Sequence, residues 1–290
     1  MAADPAHPSD SQSAQRKLGV VAGGGALPRR VVDRCLAQGR PVFVFALKGA
    51  AEEGLYDDVP HCWVRLGAAG EYLKRAQAEG IQDLCMVGPV KRPSLPAMRP
   101  DATALKILTR IGAKALGDDG LLRAVIAYLE AEYGWRVVGV EEILTDLSPE
   151  PGQLGRHAPD ASAESDVERG RAVLKALAAA DVGQAVVVQE GLVLGVEAIE
   201  GTDALIARCA GLKRDGPGGV LIKAAKTGQE MRADRPTLGP RTIEQARDAG
   251  LRGVAVEAGR TLLVDRDRMV EIADAAGLFL IAMPPLDDGA

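Results

Sequence analysis

Apolar residues gather in short β-like runs along this chain, and between the runs they recur at helical spacing. Leu18–Ala22, Val42–Leu47 and Leu84–Val87 read as strands. Val31, Val32, Cys35 and Leu36 share one helical face that ends at Gly39, and Leu73–Ala78 lies in a second helix closed by Gly80. Two further helices are predicted at about Asp101–Ala115 and Asp119–Tyr133, followed by a strand over Trp135–Val140. Strand and helix in alternation give a parallel sheet with helices on its faces, with ligands expected beyond the carboxyl ends of the strands.

Ser148–Asp160 (SPEPGQLGRHAPD) is dense in Pro, Gly and polar residues and reads as a linker. Beyond it the pattern predicts a helix at Ser165–Ala180 and strands at Ala185–Gln189, Leu192–Leu194 and Val220–Ile222. A helix at Thr242–Ala249, strands at Val254–Val256 and Thr261–Val264, a helix at Asp267–Ala276 and a strand at Leu278–Ala282 follow. Ala258-Gly259-Arg260 looks like a hairpin turn, which admits antiparallel pairing. The expected fold is α/β with two domains. The N-terminal one has a Rossmann-like parallel sheet over residues 17–147, and the C-terminal one is α/β with a mixed sheet over 164–284. Residues 148–163 form the linker, and 1–16 a disordered tail.

Composition narrows the class. A chain of 290 residues with 47% hydrophobic and 26% charged side chains has enough for two ordinary cores. A net charge of −5 and 3% aromatic residues argue against a nucleic-acid partner, which would want basic surface and stacking platforms. Cys35, Cys62, Cys85 and Cys209 lack CxxC spacing and read as buried thiols of a reducing compartment. No apolar run approaches the roughly 20 residues that span a bilayer, and the polar N-terminus is no signal peptide. The expected location is cytoplasmic.

Three stretches carry candidate chemistry. Gly23-Gly24-Gly25 follows the first strand and opens a helix with Pro28 in its first turn. Such a loop either offers backbone amides to an anion or is only a tight turn. It lacks the GxGxxG spacing of a dinucleotide site. Gly88–Pro93 after the third strand carries adjacent Lys91 and Arg92, suited to phosphate or to ordinary surface pairing. In the second half, Glu197, Glu200 and Asp203 follow one apolar run, with Thr202-Asp203 as the expected cap of a helix. Lys223, Lys226, Gln229, Arg232 and Asp234 follow another. Carboxylates at one strand end and cations at the next are both halves of a site for metal and phosphate, or else solvated loop charges.

LGVVAGGGALP at Leu18–Pro28, GDDGLLR at Gly117–Arg123 and DVGQAVVV at Asp181–Val188 resemble one family, as do GLVLGVEAIEGTDALI at Gly191–Ile206 and KAAKTGQEMRADRPTLGP at Lys223–Pro240. The family is the metal-dependent UDP-2,3-diacylglucosamine pyrophosphatases of lipid A biosynthesis. The resemblance implies cleavage of that substrate to UMP and 2,3-diacylglucosamine 1-phosphate, with the substrate held between two domains. It implies catalytic roles for Asp234, Lys223, Arg232 and Gln229. Mg²⁺ or Mn²⁺ would sit on Asp234 with Glu197 or Asp203. Substrate contacts are expected from Gly23, Gly24, Gly25, Leu27, Pro28, Lys91, Arg92, Gln184, Thr202 and Lys226. The expected partner is the acylated UDP-sugar, met in transient contact with the inner-membrane surface, and a homodimer is left open. The alternative is a nucleotide- or nucleotide-sugar-binding module without catalysis.

Overall fold

Every residue of the run Val42–Leu47 is buried, as only a strand covered on both faces allows. A computed structural model describes residues 16–90, 95–112, 118–226 and 228–286, so the expected N-terminal tail lies outside the described residues except for Arg16. The chain forms two units, Met1–Leu144 with Arg232–Asp234, and Thr145–Met231 with Arg235–Ala290.

The first unit runs β1 (Leu18–Ala22), α1 (Leu27–Ala37), β2 (Val42–Leu47), β3 (His61–Val64), α2 (Ala69–Ala78) and β4 (Asp83–Val87). It continues through α3 (Leu95–Met98), α4 (Ala102–Ile111), α5 (Asp118–Tyr133) and β5 (Arg136–Val137). The five strands are parallel in the order β3-β2-β1-β4-β5. Strand order reverses between β1 and β4, the switch point beyond which folds of this kind bind ligands. β3 was not expected, because HCWV is a short, half-buried edge strand without a long apolar run. The strand expected over Trp135–Val140 shortens to β5, since a 3₁₀ turn takes over at Val140.

Asp101 shows why α4 begins where it does. One carboxylate oxygen accepts the Ala104 amide at 2.7 Å, the other the Gly70 amide in the first turn of α2 at 2.8 Å. A single side chain thus satisfies orphan donors of two helices. At the far end α4 stops at Gly112, whose φ of 58° suits glycine best.

The second unit contains β6 (Gly152–Gln153), α6 (Ala161–Ala178), β7 (Ala185–Gln189), β8 (Leu192–Val196), α7 (Thr202–Ala210) and β9 (Val220–Lys223). β10 (Thr237–Leu238), α8 (Pro240–Asp248), β11 (Gly253–Glu257), β12 (Leu262–Leu263), α9 (Arg266–Ala276) and β13 (Phe279–Met283) complete it. Its main sheet has the order β6-β13-β11-β9-β7-β8. β9, β11 and β13 are parallel, while β7 runs against both β9 and β8, and β6 against β13. The sheet is mixed, as expected.

Alternation along β7 divides the core in two. Val186 and Val188 face α6 through Ala163, Val167 and Leu174. Val187 faces the other way, toward Leu205, Ile206, Ile243 and Met269 on α7, α8 and α9. A Cβ on Gly170 of α6 would come within 2.6 Å of the Ile222 side chain, so α6 lies close over β9 there.

Two expectations change here. The segment read as a linker is built into the second unit: Gly152–Gln153 pairs with β13, and Pro149 O accepts the Gly259 amide at 2.9 Å. The turn at Ala258-Gly259-Arg260 does not close a hairpin. β12 leaves the main sheet and pairs in parallel with β10.

Replacing Asp101 with Ala should cost about 1–2 kcal/mol of first-unit stability, and Asp101→Asn should recover part of it. Urea unfolding of the two variants checks this, and an unchanged midpoint for Asp101→Ala would remove the double-cap role.

Candidate active site

Because β8 and β9 run in the same direction, their carboxyl ends lie at one end of the second sheet. Lys223, the last residue of β9, is opposite Ala185 at the start of β7, and the Glu197 amide donates to Ala185 O at 2.8 Å. Pairing therefore puts Glu197, Ala185 and Lys223 in one row, with Gln184 next to Ala185 in the chain.

Their side chains join in a chain of hydrogen bonds. The Lys223 ammonium donates to Thr202 Oγ1 at 2.8 Å, and the Thr202 hydroxyl donates to Glu197 Oε1 at 2.6 Å. Glu197 Oε2 accepts the Gln184 amide at 3.0 Å. Lys223 and Glu197 are each only 8% exposed. A buried ammonium or carboxylate without partners would cost several kcal/mol, so this chain is what makes their burial tolerable. Because the hydroxyl proton of Thr202 goes to Glu197, its lone pairs turn to Lys223.

This arrangement corrects the expected cap. Thr202 is the first residue of α7, Gly201 at φ 83° precedes it, and no side chain caps that helix. The hydroxyl is drawn instead to the buried Lys223–Glu197 pair. Asp203 is exposed and pairs with Arg241 of α8 at 3.1 Å.

A second cation lies three residues on. The Lys226 ammonium pairs with Asp181, whose backbone φ of 52° is unusual for a residue with a side chain. Gln229 is buried, and its side-chain carbonyl accepts the Lys226 amide at 2.9 Å while its own amide donates to Lys226 O at 3.1 Å. The turn Asp181–Gln184 thus serves both lysines. Gly183 within it admits no side chain, because a Cβ would stand 2.0 Å from Glu197 O.

Arg232 and Asp234 group with the first unit, where Arg232 pairs with Glu130 of α5 at 2.7 Å and Ala233 packs against the aromatic core. Asp234 is half-buried. Among the described residues, no three His, Cys, Asp or Glu side chains gather as a metal site.

In the first unit the glycine loop is a tight turn, one of the two readings its sequence left open. The Gly23 amide donates to Val87 O at 2.8 Å and the Gly24 amide to Pro89 O at 3.0 Å. A Cβ on Gly23 would lie 2.4 Å from Gly88 O, so these glycines let two strand exits touch backbone to backbone. Exposed Gly25 and Ala26, at the start of α1, remain the part of the loop open to an anion. Leu27 and Pro28 are buried at the base of α1. Lys91 and Arg92 lie outside the described residues.

The N-terminal domain model of the LpxI family matches residues 17–147, and the C-terminal domain model matches residues 150–281. The UDP-2,3-diacylglucosamine pyrophosphatase LpxI of Caulobacter vibrioides (strain ATCC 19089 / CIP 103742 / CB 15) is 42% identical over 277 residues, which is 93% of this chain and 98% of that protein. The chain belongs to the LpxI family. The solved structure of CobK precorrin-6A reductase aligns over 95% of this chain and 90% of its own, at 12% identity and a TM-score of 0.33, too slight a likeness to bear on either fold or chemistry.

The LpxI C-terminal model covers every residue from Asp181 to Asp234, and the two models meet between residues 147 and 150. Asp181 is the site residue that sequence reasoning passed over. Its signal was present, since an acid preceding Val-Gly-Gln at a helix end could have been weighed as a partner for Lys226.

Thr202→Val should destabilise the second unit by about 1–3 kcal/mol, because it removes the hydroxyl that bonds both a buried ammonium and a buried carboxylate. Thr202→Ser, which keeps the hydroxyl, should cost well under half as much. Equal unfolding midpoints for the two variants in urea would contradict the chain of bonds.

Proposed function

We propose that this chain hydrolyses the pyrophosphate bond of UDP-2,3-diacylglucosamine, giving UMP and 2,3-diacylglucosamine 1-phosphate in lipid A biosynthesis. The single observation that carries the reading is the end-to-end identity with the Caulobacter vibrioides pyrophosphatase. The geometry supports it independently: two lysines, each held by its own partner, leave the end of one strand in a compact turn.

Phosphoanhydride hydrolysis is mostly positioning plus neutralisation of the charge spread over the phosphoryl oxygens. Lys223 and Lys226 neutralise that charge, each contributing about 2–4 kcal/mol to the transition state; a role for Arg232 rests on the family resemblance alone. Gln229 keeps the turn between them in shape. Thr202, Glu197, Gln184 and Asp181 hold the lysines in place before substrate arrives, so little reorganisation is needed during reaction.

A divalent cation, Mg²⁺ or Mn²⁺, belongs to the proposal. The donor set does not form a protein cage, yet Mg²⁺ commonly takes one or two carboxylates and completes its shell with water and phosphate oxygens. Asp234 is the carboxylate to which the family resemblance assigns the cation. Glu197 already accepts a hydrogen bond on each oxygen, and Asp203 is drawn to Arg241, so both are assigned to the scaffold. When bound, the cation withdraws charge from the phosphate and lowers the pKa of attacking water.

No helix among the described residues is long and apolar enough to cross a membrane. Contact with an acylated substrate at the membrane surface is supported by Ile199, which stands wholly exposed in the turn between Glu197 and Thr202. In the alternative reading the same lysine turn grips a nucleotide sugar without hydrolysing it.

Purified protein incubated with UDP-2,3-diacylglucosamine and Mg²⁺ should release UMP; binding without release would favour the alternative. Asp234→Asn should lower kcat by at least about 100-fold while the substrate still binds. EDTA should abolish turnover and added Mg²⁺ or Mn²⁺ restore it. Full activity in EDTA would remove the cation from the account.

A further inference from the structure

Among the described residues of the second unit, all the buried polar side chains but Thr261, which follows β11, fall into two groups. In one, Asp166 accepts the amides of Glu190 and Gly191, and Gln189 accepts the amide of Arg214. In the other lie Glu197, Lys223 and Gln229, already assigned, and Glu257, which has no role so far. Glu257 closes β11 and is 0% exposed.

The β11 strand has β9 on one side and β13 on the other. Glu257 Oε2 accepts the Ala225 amide at 2.7 Å, and Ala225 lies between Lys223 and Lys226 on the exit from β9. Oε1 accepts the Leu286 amide at 2.8 Å on the exit from β13, and the Arg260 guanidinium stands 3.6 Å from the same oxygen. One carboxylate therefore ties both neighbouring strand exits to the end of β11. Two amides and a guanidinium offset the desolvation of so deep a charge. Where the backbone turns between two cations, a hydrogen bond to the intervening amide sets the direction in which both side chains leave.

We infer that Glu257 is a positioning residue for the reaction: through the Ala225 amide it fixes the Lys223–Lys226 turn in the conformation that presents both ammonium groups to the diphosphate. The inference rests on the activity proposed above. It differs from a purely structural role in what it predicts for the folded enzyme. Displacing a cation by a fraction of an ångström weakens transition-state stabilisation more than substrate binding.

The test is steady-state hydrolysis of UDP-2,3-diacylglucosamine by Glu257→Gln, assayed well below its unfolding midpoint. Glutamine keeps the shape and one acceptor, and its amide group opposes one of the two backbone N–H groups. The expected result is kcat lower by roughly 10–100-fold with KM within about threefold of wild type. Glu257→Asp, which keeps the charge at reduced reach, should fall between. Leu286→Pro removes the amide on the β13 exit, together with a side chain packed against the core, and leaves the Ala225 contact in place; it should leave kcat within about threefold of wild type. A folded Glu257→Gln enzyme with wild-type kcat overturns the inference alone. So does a Leu286→Pro loss as large as that of Glu257→Gln, since the effect would then come from anchoring the C-terminal segment. A wild-type protein that releases no UMP overturns the inference and the proposed activity together.

Discussion

The ammonium of Lys223 is buried, and that constraint organises the carboxyl end of the second sheet. A lysine kept from water needs partners of matching geometry, and one of them here is a hydroxyl whose own proton is committed to a carboxylate. Thr202 must then stand within reach of both β8 and β9, which fixes where α7 begins. Glu197 must stay close to the turn before β7, which excludes any side chain at Gly183. What looks like a loose set of loop charges is a chain of dependencies running from one buried cation outward to a helix start and a glycine.

The cost of this design falls on the local rules of helix capping and backbone conformation. α7 forgoes a side-chain cap because Thr202 is occupied elsewhere, and Asp181 takes a left-handed backbone to reach Lys226. Both departures are tolerated because the interactions gained are charge-assisted. The first unit shows a different economy. There Gly23 and Gly88 let the exits of β1 and β4 meet backbone to backbone, and two loop amides are consumed in the contact. Only the start of α1 is left open to solvent in that loop.

Much of this was legible in the sequence wherever the deciding interaction is local. The apolar runs that become β1, β2, β4, β7 and β9 are buried on both faces, and an uninterrupted run is the signature of such strands. The motif Lys223–Asp234 was recognisable as chemistry because its residues are close in sequence. Long-range pairing was not legible. Gly152–Gln153 looks like linker until β13 supplies its hydrogen bonds, and β12 looks like half a hairpin until β10 takes it. Residues that work on a distant backbone stayed hidden for the same reason. Asp181 acts across 45 positions and Glu257 across 32; nothing beside Glu257 announces a partner, and the acid before Val-Gly-Gln at Asp181 is a hint that names none. The carboxylate of Glu197 was visible but its task was not: alone in sequence it suits a cation, and only the neighbouring hydroxyl and amide give it other work.

The claim beneath all of this is that Glu197 acts through Lys223, by way of one hydroxyl. A double-mutant cycle of Glu197→Gln and Lys223→Met, read in kcat/KM for UDP-2,3-diacylglucosamine hydrolysis, measures that dependence directly. The account predicts a coupling of about 1–3 kcal/mol, the range for residues in one hydrogen-bonded network. Strictly additive losses would mean that the two side chains work independently, and would contradict it.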